Sequence, residues 1–436
     1  MTQPTVTDTR PLSAGPAVAD SGPSRDITVV GAIVGVGLLG INQPLAAGVT
    51  TGTLMVVALA PVWIGTLRRF RFAILIMVMA VLALVWGAVL TQFQTPREFD
   101  SSLATQFALG FITGLGGLGL LLWARTVLPT HQVAIIFGLG YLVRMAEEAP
   151  SSVNPWKYQL SVPIAILLLA LASRSKKALP TVLCLLGLGL VSVFADSRSF
   201  FGFCLLAAVL VMWQHRPSTT SKRMNKLAVF GLIAVALFAL YSVGTTLLVQ
   251  GYLGQANQQR TVQQIEDSGS LLIGGRPEWA GTLALMREQP MGFGLGTVPT
   301  SQDVWAAKAG MRAIGTDTEN GYVDNYMFGG HFKLHSIIAD MWATFGIVGF
   351  ALGLIMLFAL VYSLIEQLSN RTATGLVCLF AALGVWDLAF GPIYKNLPDV
   401  MFALAVTLTA SAFGTATTES PTDSVEVPAV GGSARA

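Results

Sequence analysis

Charge is what this chain has least of. Asp, Glu, Lys and Arg make up 11% of its 436 residues, against about 25% in a typical soluble domain. That supply is too small to clothe a wet surface, which excludes an ordinary cytosolic enzyme. The formal net charge is only +3, and no basic run is long enough to track a phosphate backbone. A disordered chain and a nucleic-acid-binding protein are therefore excluded too. Cysteine is also scarce. Cys184, Cys204 and Cys378 all lie inside apolar blocks, so they build no disulfide framework and no thiolate metal site, and read as small packing residues. What is plentiful is apolar: 53% of the residues are hydrophobic, in long unbroken blocks, and the mean hydropathy is +0.65. This describes a polytopic membrane protein.

The first 26 residues are rich in Pro, Ser, Thr, Ala and Gly, a composition that cannot bury a core, and predict a disordered tail. Residues 415–436 predict a second. The run Ile27–Ile41 reads as an uncleaved first helix rather than a signal peptide cut near Ala46-Ala47-Gly48. At about 20 residues per crossing, about twelve spans are predicted. They start near Ile27, Val49, Phe72, Leu103, Gln132, Gln159, Leu179, Phe200, Leu227, His335, Thr374 and Leu397. Pro44, Pro163 and Pro180 mark span ends or kinks. The expected architecture is all-α: spans one to nine in residues 27–249, an external segment at 250–334, and spans ten to twelve in 335–414.

Short loops orient such a bundle, because cytoplasmic loops carry the excess of Lys and Arg. One set of loops holds Arg68, Arg69, Arg71, Arg125, Arg174, Lys176, Lys177, Arg216, Lys222, Arg223, Lys226 and Arg371, twelve cations. The alternate set holds four: Arg97, Lys157, Arg198 and Lys395. The twelve-cation side and both tails are expected in the cytoplasm, and the 85 residues of 250–334 outside it. A connection of that length is usually functional.

The external segment opens with a glutamine-rich stretch from Gln255, expected as a polar helix on the membrane surface. Gly274-Gly275-Arg276-Pro277-Glu278-Trp279 follows. Pro277 fits the first turn of a helix, which runs from Ala280 to Glu288 and stops at Pro290. Gly292, Gly294 and Gly296 then alternate, a pattern that permits close backbone approach to a ligand or an anion-binding nest. His331 and His335 come next, the two histidines expected on the outer side, whereas His131 and His215 fall in cytoplasmic loops. An imidazole suits general-base work near neutral pH. Arg198, in Asp196-Ser197-Arg198-Ser199, sits at the outer membrane boundary. A guanidinium there either pairs with Asp196 or grips a lipid phosphate in a bidentate way. Asp317 and Glu319 are an acidic pair too small to define a metal site.

From Arg276 onward the order of residues becomes specific. Gly275-Arg276, Trp279, Pro290-x-Gly292-x-Gly294-x-Gly296, His335-Ser336 and Gly346-Ile347-Val348-Gly349, with eleven residues from His335 to Gly346, resemble the signature of the O-antigen ligase and polymerase family. Ser197-Arg198-Ser199 is similar to the family's Ser-Arg motif. The family has Asn where Ser336 stands. The resemblance implies a C-type glycosyltransferase fold and a metal-independent, inverting transfer on the outer face of the cytoplasmic membrane. A glycan passes from a polyprenyl-diphosphate carrier to a hydroxyl of a lipid, glycan or protein acceptor, with no cofactor. Arg198 and Arg276 are implied to bind the diphosphate and His335 to be the base or to orient the acceptor. Gly292, Gly294 and Gly296 are implied to let the backbone approach the donor. Trp279, His331, Ser336, Asp340 and Lys395 complete the expected substrate contacts, and apolar grooves between spans would hold the polyprenyl chain.

Asp340 lies five residues after His335, about 140° round a helix from it, and Asp387 is read as an acid deep in a span. Arg144 is spaced for local ion pairs with Glu147 and Glu148. A secondary transporter is the rival reading, with Asp387 as its centre. An intramembrane hydrolase lacks its motifs. A non-catalytic assembly partner with a decayed site is the third.

Overall fold

The computed structural model describes residues 23–93, 97–175, 177–216, 224–251, 254–268 and 275–411. Nearly all of both expected tails, and Lys176, Lys222, Arg223 and Gly274 from the readings above, lie outside the described residues. The rest is almost entirely helical. In chain order the helices are α1 (Pro23–Ile41), α2 (Thr51–Ala58), α3 (Ala60–Thr66), α4 (Ala73–Thr91), α5 (Ser101–Val127), α6 (Thr130–Glu148), α7 (Ser161–Ala172), α8 (Ala178–Phe194), α9 (Arg198–Gln214) and α10 (Lys226–Val249). The external segment carries α11 (Gln255–Ser268), α12 (Glu278–Glu288) and α13 (Ser301–Arg312), and α14 (Ile337–Ser369), α15 (Gly375–Phe390) and α16 (Ile393–Thr407) close the chain. One small hairpin, β1 (Pro44–Ala46) with β2 (Val49–Thr50), joins α1 to α2.

A helical segment stands at each place where a span is expected. By length and composition, four of the described helices can cross a membrane alone, namely α4, α5, α10 and α14. The α2–α3 pair, bent by 68°, makes a fifth if it is one span. Several others are apolar but shorter. The packing is that of a protein in lipid. Helix α4 turns Ala73, Ala80, Ala83 and Gly87 inward and leaves Val78, Val81, Leu82 and Val85 exposed. Small residues inside let helix backbones approach, and large apolar ones outside suit a hydrocarbon solvent. Cys204 and Cys378 are buried among apolar side chains and Cys184 is half-buried, all three free.

The loop cations sort to two ends. Arg71 and Lys226 meet Glu366 at 3.5 and 3.7 Å, and Ser411 N–H donates to Arg69 O. The opposite end carries Arg97, bound to Asp303 of α13.

Helix α14 departs from the expected span. Gly346 has φ 64° and ψ −154°, which stops the helix there. A methyl group added at Gly349 would lie 2.1 Å from Met341 O, and one at Gly353 would lie 2.8 Å from the Ile338 side chain. In a straight helix those pairs are about 12 and 22 Å apart along the axis. The chain therefore doubles back at Gly346. The span begins at Ile347, not at His335, and its 347–369 arm is about 34 Å long. Residues 337–345 form a separate short arm folded against it.

That arm serves two cores. Ile337, Ile338, Met341 and Phe345 pack into the helix bundle. Ala339, Trp342 and Ala343 pack instead with Leu285, Phe293, Met311, Val323, Met327 and Phe332 of the external segment. The external segment thus has a hydrophobic core of its own, which reaches past the expected boundary at 334.

Helix α13 closes this core and is held by a capping box, in which Thr300 and Asp303 exchange side-chain-to-backbone hydrogen bonds. Asp303 is also gripped by Arg97, Nη2 to Oδ1 at 2.8 Å and Nε to Oδ2 at 3.2 Å. Burial alone would raise this carboxyl's pKa, but the hydrogen bonds from Arg97 and Thr300 bring it below the usual value. The stabilisation is therefore complete above the free carboxyl pKa and lost as pH falls through the folded one. Asp303→Ala is expected to cost on the order of 3 kcal/mol at neutral pH. The gap between variant and wild type should shrink when thermal unfolding is followed at about pH 3.

Candidate functional site

The site forms where the segment between α10 and α14 meets the N-terminal arm of α14 and the C-terminal end of α15. Three hydrogen bonds fix the approach. Trp279 Nε1 donates to Ala389 O (2.8 Å), Ser336 Oγ donates to Leu388 O (3.0 Å), and Arg276 Nη1 donates to Phe390 O (3.5 Å). All three acceptors belong to the last turn of α15, whose carbonyls have no helical partner. Arg276 lies over the rings of Trp386 (5.0 Å) and Phe390 (5.4 Å). These faces hold the guanidinium by cation–π attraction, and only one of its five N–H donors is taken by Phe390 O.

His335 sits beside this arginine in a left-handed backbone conformation, φ 53°. Such a conformation costs about 1–3 kcal/mol and persists only where its surroundings enforce it. Here they do. Ser336 caps α14, its Oγ accepting from Ala339 N–H at 3.2 Å. The imidazole lies against Tyr322, ring centroids 6.0 Å apart. Its Nε2 is buried, with no hydrogen-bond partner among the described residues. Burial pushes the imidazole below its ordinary pKa, the nearby Glu278 charge opposes this, and Lys333 and Arg276 add to it. The neutral base is therefore the favoured form at neutral pH.

The other expected residues divide. Asp340 is bound within the protein: its two carboxylate oxygens accept from Leu334 N–H (2.7 Å) and Ile393 N–H (2.9 Å). It is a fastener between the arm and α16. Gly292, Gly294 and Gly296 approach the protein's own backbone rather than a ligand. A methyl at Gly292 (φ 86°) would fall 2.3 Å from Trp342 O, and Gly294 and Gly296 sit as tightly on Thr91 and Asp100. The amides of Phe293 and Gly294 both donate to Ala343 O, an acceptor that a continuous helix would use for residue 347. The glycine run plugs the break in α14, so its role as a donor cradle is corrected to one of packing.

His331 belongs to a different ring cluster, with Tyr394 at 4.8 Å and Phe107 at 6.4 Å. Tyr394 and Phe107 line a cavity of about 330 Å3 enclosed by α1, α5, α6 and α16, mostly apolar, with Arg144 among its walls. Arg144 pairs with Glu148 at 3.6 Å. Lys395 lies over the Tyr158 ring at 5.0 Å, directed toward the segment before α7. Arg198 opens α9, one-third exposed and 4.0 Å from Asp196. Its helix reaches the site through Phe203, whose ring touches Trp386, the ring beneath Arg276. Asp387 lies in the final turn of α15 rather than deep in the helix, and bonds to Asn396. Glu319 is occupied with Arg312 at 2.6 Å and with Lys308.

Comparison with protein-family models, curated proteins and solved structures gives no match. The functional reading therefore rests on this geometry. Sequence reasoning passed over Glu278 and Tyr322, which lie 44 residues apart and form a 2.6 Å hydrogen bond beside His335. No local pattern could link them.

Proposed function

We propose that the chain is a membrane glycosyltransferase of the O-antigen ligase and polymerase type. In this reading it has about twelve spans, both termini in the cytoplasm, and its site on the outer face of the cytoplasmic membrane. The observation that carries the reading is His335 Nε2, a buried nitrogen without a partner among the described residues, beside a guanidinium held by Trp386 and Phe390 at the end of an apolar bundle. A base and a phosphate-binding cation at the lipid boundary are what a lipid-diphosphate donor and a hydroxyl acceptor require.

The step balances as follows. The acceptor hydroxyl gives its proton to His335 Nε2. Its oxygen bonds to the anomeric carbon on the face opposite the diphosphate, and the bond from that carbon to the diphosphate oxygen breaks. The electron pair leaves with the polyprenyl diphosphate, whose growing charge Arg276 and Arg198 offset. The aromatic and apolar cavity beside His331 takes part of a lipid chain. Ser336 in place of Asn is consistent with this reading, because serine and asparagine cap a helix equally well.

The test is reconstitution in vesicles with a polyprenyl-diphosphate-linked glycan, a hydroxyl acceptor and a chelator. Glycosylated acceptor and free polyprenyl diphosphate in equal amounts are expected. Transport of intact lipid-linked glycan across the vesicle, with no new glycosidic bond, would replace this reading by the transporter one.

A further inference from the structure

Among the described residues, Glu278 is the carboxylate whose charge acts on His335, and the chemistry above does not use it. It is the first residue of α12 and is buried, 7% exposed. Its Oε1 accepts from the Tyr322 hydroxyl at 2.6 Å, a length typical of a charge-assisted bond. Tyr322 in turn lies nearly parallel to the imidazole, 28° between planes. Tyr326 stacks on Tyr322 at 5.8 Å, and Lys333 Nζ covers Tyr326 at 5.7 Å. Gly321, at φ 75°, starts the turn that carries both tyrosines.

The charged and titratable groups around the imidazole are thus Glu278 and Arg276 at the start of α12, Tyr322 from the turn, and Lys333 two residues before it in the chain. Two cations oppose one carboxylate. When His335 takes a proton, the new imidazolium stands near Arg276 and Lys333, an arrangement that favours losing the proton again. Glu278 is the only one of these groups whose charge favours keeping it.

We propose that Glu278 is a positioning residue for His335: through Tyr322 it sets the plane of the imidazole, and its charge offsets the imidazolium formed when the acceptor hydroxyl is deprotonated. This deepens the transferase reading and rests on His335 being its base. Tyr322 is suited to the link. Burial first, and then the Glu278 charge and hydrogen bond, push its phenol well above the ordinary range, so it remains a donor wherever the protein works. A purely architectural role, pinning the turn to α12, would need the hydrogen bond but not the charge, and that difference is measurable.

The experiment uses the full chain in detergent with isotope-labelled histidine. Its four histidines give few signals, and His335→Gln identifies the one of interest. Glu278→Gln keeps the shape and an acceptor for Tyr322 while removing the charge. The His335 titration midpoint is expected to fall, with about tenfold weaker proton affinity, or roughly one pH unit. The acid limb of the transfer rate should move to lower pH by the same amount, with KM for the donor unchanged. Tyr322→Phe keeps the ring and the charge and should lower kcat while moving the midpoint less. Glu278→Asp should restore most of the midpoint. Identical His335 titration in wild type and a folded Glu278→Gln protein would overturn the proposal. If Glu278→Gln does not fold, Tyr322→Phe decides: unchanged kcat overturns the link. Should wild type show no transfer at all, the transferase reading fails, while the His335 titration still reports whether Glu278 acts on it.

Discussion

His335→Ala is expected to slow glycan transfer on the order of 10³-fold, the usual contribution of a positioned general base, while donor binding stays near wild type. The separation follows from geometry. The guanidinium of Arg276 is held by Trp386 and Phe390 and by α15, none of which depends on the imidazole, whereas Nε2 has no hydrogen-bond partner among the described residues. Alanine also meets a backbone cost, because residue 335 has φ 53° and side chains other than Asn, Asp and His seldom occupy that region. His335→Asn removes the base and tolerates the backbone, so the two variants together separate chemistry from strain. Single-turnover transfer and donor affinity measured on both provide the check. Transfer within tenfold of wild type in His335→Asn would show that the proton goes elsewhere.

The second large effect is structural. Gly346→Ala should destabilise the protein by on the order of 3 kcal/mol and abolish transfer although every proposed site residue is intact. The added methyl would stand 2.4 Å from Met291 O and 2.9 Å from Trp86 Nε1, at φ 64° and ψ −154°. Backbone at Met291 cannot yield without pulling Phe293 and Gly294 away from Ala343 O. That movement would shift α12, and with it Arg276 and Glu278, relative to His335. Thermal unfolding in detergent and the transfer assay check both halves. A variant of wild-type stability and activity would mean that the reversal at Gly346 is not needed.

Much of the helical layout was legible because apolar blocks and prolines are local signals. Pro277 and Pro290 bracket α12 closely. Helix α13 was missed, although Thr300 and Asp303 spell its capping box, because attention to apolar runs passes over a mixed segment. The site was partly legible. Arg276, Trp279 and Ser336 converge on the last turn of α15, with His335 next to Ser336. Asp340 was misjudged because one of its partners, Ile393, is 53 residues away. The alternating glycines were misassigned for a related reason: close backbone approach is written in the sequence, but what approaches is not. Nothing in the spacing distinguishes a ligand from the carbonyls of a broken helix.

The arm 337–345 has a consequence for any attempt to exchange parts. Ala339, Trp342 and Ala343 are wedged into the core of the external segment, while Ile338 and Met341 on the same two turns belong to the bundle. A chimera spliced at residue 334 would strip the transplanted module of a wall and hand it a foreign one. The natural seam is Gly346, where the helix is already broken. The portable unit therefore carries His335 together with its arm.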